Sequence, residues 1–370
     1  MTVDPAPPEV SETAVEDLRR RLELYRPTPL PPGDGWRLGV PGAYLESLVA
    51  YWRSEYDWRV HEKRIRAYPW VVAGRERPLR AIHVSRGPER ATVVLLHGWP
   101  DSVLRFERLL PLLGDVDVVV PALPGFPFAL PVDEGGLSAE DTAHAVVAAL
   151  TDLGHTRFVV SAGDIGTDVA EAMARAYPER VAALHLADVS AVHATVERDA
   201  LSDAEERYLD RVREWNAAEG GYSHEQATKP HTLAVGLGDS PAGLAAWIVE
   251  KLHRWSDHDG DVEQVFSRDE ILTWISAYWF SGAIGTSFVP YATETRSRDW
   301  RLPTPTVFTI FPKEPLIAPR EFAERLFDVR AWHEPVAGGH FSAWERPQEY
   351  LRGVRDALAL LGRSERPAVG

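Results

Sequence analysis

Residues 158–166 read Phe158-Val159-Val160-Ser161-Ala162-Gly163-Asp164-Ile165-Gly166. A short apolar run, Arg157 to Val160, gives way to small residues around one carboxylate, and a helical pattern follows from about Thr167. Ala162-x-Asp164-x-Gly166 has the small–x–nucleophile–x–small shape of a strained strand-to-helix turn that lifts one side chain clear of a sheet. The flanking residues must be small because larger side chains would collide on such a turn. The chain contains no G-x-S-x-G, so a carboxylate stands where esterases carry a hydroxyl. Taken alone, Asp164 could equally be an ordinary helix N-cap.

Working outward, Arg80 to Val84, Ala91 to Leu96, Val116 to Val120, Val181 to Ala187, Thr306 to Phe311 and Val329 to Pro335 also read as strands. Ala91 to Leu96 is continuously apolar, as expected of a parallel strand buried on both faces. Leu104 to Leu113 and Ala139 to Leu153 read as helices between them, and strands alternating with helices predict an α/β fold with a mostly parallel sheet. From about Ser190 to Trp300 the pattern is helical and rich in Trp and Tyr, which predicts an inserted lid. Before the sheet, Val15 to Tyr25 and Tyr44 to Trp58 read as helices separated by the Pro-rich stretch Arg26 to Gly33. The first fifteen or so residues are Pro- and acid-rich and are expected to be disordered or draped over the surface. The resulting division is a wrapping segment at 1–78, a first core part at 79–190, a lid at 191–300 and a second core part at 301–370.

Composition removes whole classes of function. In 370 residues there is no cysteine, which excludes disulfides, thiolate nucleophiles, Fe–S clusters and Cys-ligated zinc. Forty basic residues against 55 acidic ones leave a net charge of −15, which opposes binding to nucleic acid or anionic membranes. No apolar run is long enough to cross a membrane. Residues Met1 to Glu9 have neither the basic start nor the apolar core of a secretory signal, so a cytoplasmic protein is expected. No H-E-x-x-H or glycine-rich phosphate loop stands out, so no metal and no organic cofactor is expected.

Three further signals sit at predicted strand ends. His97-Gly98-Trp99-Pro100 follows Leu96, and a glycine there lets the backbone turn and present N–H groups. Gly338-Gly339-His340-Phe341 follows the last strand; a histidine in such a loop is expected to be mobile and exposed enough to act as a base. Glu314, just past Thr306 to Ile310, could hold that imidazole in one tautomer. Each has a bland alternative: an ordinary turn, a surface histidine, a solvated glutamate. Together they give nucleophile, acid and histidine in the chain order of the α/β-hydrolases.

At this point the chain resembles the microsomal-type epoxide hydrolase family, in a form without a membrane anchor. The resemblance runs through Tyr51-Trp52-Arg53-Ser54-Glu55-Tyr56-Asp57-Trp58-Arg59, through Lys229-Pro230 and Gly238 to Lys251, and through Gly338-Gly339-His340-Phe341-Ser342-Ala343-Trp344-Glu345. It implies Asp164 as nucleophile, His340 as base, Glu314 as its orienting acid, and Tyr222 and Tyr291 as donors to the epoxide oxygen. Backbone N–H groups of Trp99 and Ile165 would then form the oxyanion hole. Ile165, Ala162 and the proline of Pro124-Gly125-Phe126-Pro127-Phe128 depart from the family pattern and are expected to reshape the pocket. The expected partners are a small-molecule epoxide and water, with a homo-oligomer left open. Trp247, Trp255, Trp274, Tyr278 and Trp279 suggest an apolar or aromatic substrate. An epoxide-opening cyclase is the main alternative. A haloalkane dehalogenase-like enzyme fits less well, because Ile165 offers no ring N–H to a halide. A non-catalytic relative should have lost a reacting residue, and none is missing.

Overall fold

The computed structural model describes residues 4–30, 35–87, 89–132, 138–196, 198–293 and 300–361. The predicted breaker at Pro31-Pro32-Gly33 lies outside them. Among the described residues eight strands form one sheet: β1 (Trp70–Ala73), β2 (Leu79–Val84), β3 (Thr92–Leu96), β4 (Asp117–Pro121), β5 (Phe158–Ala162), β6 (Val181–Leu186), β7 (Leu302–Thr309) and β8 (Phe327–His333). Their order is β1-β2-β4-β3-β5-β6-β7-β8. The pairs β1/β2 and β2/β4 are antiparallel and all others are parallel. Every residue of β3, β5 and β6 is buried, as expected of mostly apolar strands covered on both faces. β3 and β5 are in register from Val93↔Val159 to Leu96↔Ala162, so the turns after them emerge side by side.

Between β6 and β7 the described residues are mostly helical, with helices at Asp203–Glu219, Gly221–Thr228, Pro230–Asp239, Pro241–Trp255, Arg268–Ser281 and Val289–Ala292. Ser202 with Glu205, and Ser267 with Glu270, form reciprocal capping boxes that start two of them. Pro230 and Pro241 open two more, at positions where a missing N–H costs nothing. Among the described residues no single helix is long and apolar enough to cross a membrane.

The N-terminal helices clasp this helical insertion. Arg21 donates to the Asp239 carbonyl at 2.7 Å, and the Tyr51 hydroxyl to Asp269 at 3.0 Å. The extended stretch ahead of them is draped, held where Arg80 reaches the Pro5 carbonyl and Arg66 the Pro7 carbonyl.

Three local expectations are corrected, and one strand was not expected at all. Leu104 to Leu113 is not a helix but two single turns, Val103–Phe106 and Leu110–Leu112. Pro111 cannot donate to a helical ladder, and Arg105 is drawn into the interior by Asp101. Tyr44 to Trp58 is not one helix. A first helix ends at Ser54, and Asp57 caps a second, Trp58–Arg66, by accepting from Arg59 N–H at 3.0 Å. β1 gave no signal because four residues are too few to show a period. β7 begins at Leu302, ahead of its expected start, because Pro303 and Pro305 hid its first half where the register shifts.

Candidate active site

Asp164 stands between β5 and the helix Ile165–Ala176 with φ 58° and ψ −135°, a strained backbone for any residue with a Cβ. Such a turn survives only where the surroundings fix it. A Cβ on Gly166 would come within 2.6 Å of the Leu96 carbonyl oxygen, so the helix can start this close to β3 only at glycine. A Cβ on Gly98 would run into the Asp164 carboxylate itself. The side chain makes no N-cap bond of the ordinary kind. Instead Oδ1 accepts the Trp99 N–H at 2.8 Å, and the Ile165 N–H also points to the carboxylate. Burial raises the Asp164 pKa, opposed by the His340 charge and by these two N–H groups.

His340 reaches the same point from the loop after β8. Its Nδ1 lies 3.0 Å from Oε1 and 3.1 Å from Oε2 of Glu314, and its Nε2 is 3.5 Å from Asp164 Oδ2. Burial pulls the imidazole down, but the Glu314 charge and hydrogen bond, with the Asp164 charge, outweigh it and lift His340 to about 9. The expectation of a mobile, exposed histidine is corrected, since His340 is only 4% exposed. Its own N–H donates to the Trp255 carbonyl at 2.8 Å. Glu345 accepts the N–H groups of Gly339 and Phe341, each at 3.0 Å, and of Asp257 at 2.8 Å. The glycine-rich loop is therefore bound on both sides of the histidine.

Two features escaped the sequence. Asp101 accepts the Gly98 N–H through Oδ1 at 2.8 Å and pairs with Arg105 through Oδ2 at 2.5 Å, while Arg105 also donates to the His340 carbonyl. This buried ion pair bridges the Trp99 turn to the histidine loop. Asp188, two residues past β6, accepts the Asp164 N–H at 2.7 Å and the Thr167 hydroxyl. Burial and the Glu314 charge push its carboxyl up to about 7. Its signal, an acid just past a buried strand, is the one that singled out Glu314. For Arg105 there was none, because it lies in a stretch that read as a helix between two strands, where an arginine is unremarkable.

Tyr222 and Tyr291 come from separate lid helices, and their rings meet edge-on with centroids 6.1 Å apart. Tyr222 stacks on the Trp99 ring at 5.5 Å and 13°, and Tyr291 meets that ring edge-on at 6.1 Å. Burial and the Asp164 charge raise the Tyr222 pKa; burial, then the Tyr222 and Asp164 charges, raise that of Tyr291. Both hydroxyls therefore stay protonated and able to donate.

Asp164, Glu314, His340, Tyr222, Tyr291 and Asp188 all line one cavity of about 380 Å³. Ile165, Pro124 and Phe126, at or beside departures from the family pattern, form part of its wall. Of the five lid aromatics expected there, only Trp255 lines it. Trp274 and Tyr278 are core residues, Trp247 faces another groove, and Trp279 lies under Arg21. Trp215 and Trp300 take their place, and Glu140 and Arg175 supply a charged pair on the wall. A carboxylate with one oxygen held by backbone N–H groups and the other beside a carboxylate-backed imidazole can attack carbon, be esterified and then be hydrolysed. Two phenols lining the same cavity can protonate a departing oxygen.

A family model described as the epoxide hydrolase N terminus matches residues 3–106, and one described as the alpha/beta hydrolase fold matches residues 91–226. A protein of Stigmatella aurantiaca is 34% identical over 95% of this chain and 84% of its own length. The juvenile hormone epoxide hydrolase of Bombyx mori is 30% identical over 94% of this chain and 84% of its own. The structure of the Aspergillus niger epoxide hydrolase superposes with a TM-score of 0.83 at 26% identity, covering 98% of this chain and 97% of that one.

Proposed function

Because this chain belongs to the epoxide hydrolase family of the α/β-hydrolase superfamily, we propose that it converts an epoxide to a vicinal diol through an ester on Asp164. The observation that carries the reading is the position of the Asp164 carboxylate, with Oδ1 on the Trp99 N–H and Oδ2 toward His340.

In the first step Asp164 Oδ2 attacks a ring carbon, the ring C–O bond breaks, and the oxygen takes a proton from the Tyr222–Tyr291 pair. In the second, His340 Nε2 takes a proton from water and the hydroxide adds to the Asp164 carbonyl carbon. Oδ1 then carries the negative charge and is held by the Trp99 and Ile165 N–H groups. Glu314 stabilises the imidazolium. Collapse releases the diol, and the imidazolium proton returns to the tyrosine pair. An aspartyl ester keeps a carbonyl that water can attack, whereas a seryl ether would not, which accounts for a carboxylate at this turn.

Asp188 holds the Asp164 N–H, and the Asp101–Arg105 pair ties the oxyanion turn to the base; both act as positioning groups. The same reading divides the chain into a clasp at 1–78, core parts at 79–190 and 301–370, and a lid at 191–300 that supplies the two tyrosines.

The aromatic wall of Phe126, Trp215, Trp255 and Trp300 suits an apolar or aromatic epoxide. Diol formation from a panel of aryl and small polar alkyl epoxides tests this. Preferential turnover of the aryl members is expected, and no diol from any member would overturn hydrolysis in favour of intramolecular ring opening. Tyr222→Phe and Tyr291→Phe should each lower kcat/KM by about 10²–10³-fold, the usual loss for one donor to a developing oxyanion. Steady-state kinetics on the best substrate decides it, and a loss below threefold in both variants would remove the tyrosines from the reaction.

A further inference from the structure

The proposed reaction takes place at the C-terminal ends of the parallel strands, with Tyr222 and Tyr291 brought there by the lid helices. A second group of side chains converges at the opposite end. Because β2 runs antiparallel to β4, its last residues pair with the first residues of β4, with His83↔Val119 and Val84↔Val118 in register. Asp117 opens β4 beside Thr92 of β3, and His155 sits in the turn leading to β5. Positions 83, 117 and 155, far apart in sequence, thus meet at one end of the sheet, where the parallel strands begin.

The ligand atoms of His83, Asp117 and His155 all lie within 4.8 Å of one another. The two imidazoles approach through their Nε2 atoms at 3.0 Å, with the rings perpendicular. Two nitrogens of a tetrahedral zinc site, with bonds of about 2.0–2.1 Å, stand roughly 3.3 Å apart, so little rearrangement separates the two geometries. The groups behind the ligands are fixed. His155 Nδ1 is 3.0 Å from Thr92 Oγ1, the outer partner that a metal-binding imidazole uses to set its tautomer. Asp117 Oδ1 accepts the Arg86 N–H. Backbone bonds from His83 N–H to Pro69, Asp117 N–H to Ala91 and His155 N–H to Leu150 hold all three positions.

Charge supplies the independent argument. Asp117 is only 4% exposed, and among the described residues no Lys or Arg forms a salt bridge with it. Buried carboxylates are paired with a cation or coordinate one. Here the groups facing Asp117 are two imidazoles, which are ligands themselves. Imidazole nitrogen with carboxylate oxygen, without sulfur, suits zinc and its neighbours in the first transition row. The half-buried His83 gives an entry path and leaves room for a fourth ligand from solvent.

We propose that His83, Asp117 and His155 form a zinc(II) site that clamps β2, β4 and the turn before β5 together, remote from the reaction centre. Binding replaces the Nε2–H···Nε2 hydrogen bond between the imidazoles by two N–Zn bonds, and the proton leaves the donating Nε2 and, by exchange with solvent, protonates Nδ1 of the same ring. The test uses the full chain, stripped with a chelator and dialysed. Calorimetric titration with zinc chloride should show one equivalent per chain, and the thermal midpoint should rise at saturation. Cobalt(II) should give the visible bands of a four-coordinate ion. His83→Gln, at a half-buried position, and Asp117→Asn, which keeps the acceptor for Arg86, should each weaken zinc binding at least about 100-fold, since even outer partners of a ligand cost 10–100-fold. If one variant does not fold, the other decides. Uptake well below one equivalent, or equal uptake by a folded variant, would overturn the site. Epoxide turnover per folded molecule should be the same with and without zinc, so loss of this site and loss of the proposed reaction register separately.

Discussion

Asp164→Ala yields a folded protein that forms no diol, with kcat/KM reduced by at least about 10⁴-fold, the scale of losing a covalent nucleophile. Alanine keeps the Cβ, so the strained backbone at φ 58° is no worse than before, and a buried carboxylate is removed. Circular dichroism should match the parent. Neither Asp188 nor Glu314 can substitute, because one holds the Asp164 N–H and the Thr167 hydroxyl and the other faces His340 Nδ1. A second readout reports on electrostatics. Since the Asp164 charge helps to lift His340 to about 9, NMR titration of the variant should find that imidazole lower. Turnover surviving in a folded Asp164→Ala protein would refute the nucleophile.

His340→Gln separates the two half-reactions. The aspartate remains, so ring opening proceeds once per molecule, but no base activates water and the ester should persist. Mass spectrometry should find the chain heavier by one substrate, while steady-state kcat falls by about 10²–10⁴-fold, the usual worth of a general base. The pH dependence of the parent follows from the same charges. In the free enzyme His340 stays protonated up to about 9 beside two carboxylates. In the ester the Asp164 charge is gone, so the imidazole titrates below 9 and hydrolysis speeds up as pH rises through that point. Ring opening needs ionised Asp164 and slows as pH falls through its raised pKa. A single-turnover hydrolysis rate that declines with rising pH across this range would contradict the role of His340.

What the sequence revealed, and what it hid, follows from range. β3, β5 and β6 are legible because burial on both faces leaves mostly apolar runs, interrupted in β5 by Ser161 and in β6 by His185, whose buried side chains hydrogen-bond each other at 2.8 Å. The Asp164 turn is legible because its strain admits only small neighbours. Arg105 was hidden because its partners, Asp101 and the His340 carbonyl, include a group 235 residues away. The burial of His340 was hidden for the same reason, since it depends on Trp255 and Glu345 gripping a loop that its glycines alone describe as flexible. The cluster of His83, Asp117 and His155 exists only through strand register, which no local pattern records. The lid aromatics show the limit of composition, because their number signals a wall of rings without saying which of them face the cavity.

The central claim, an ester on Asp164, is tested most directly by a single turnover in ¹⁸O-water with enzyme in excess over epoxide. The first diol released should carry no label, and one ¹⁸O should appear in the peptide that contains Asp164, because water attacks the carboxyl carbon and the substrate leaves with an oxygen of the protein. Label in the first diol and none in that peptide would mean that water opens the epoxide directly.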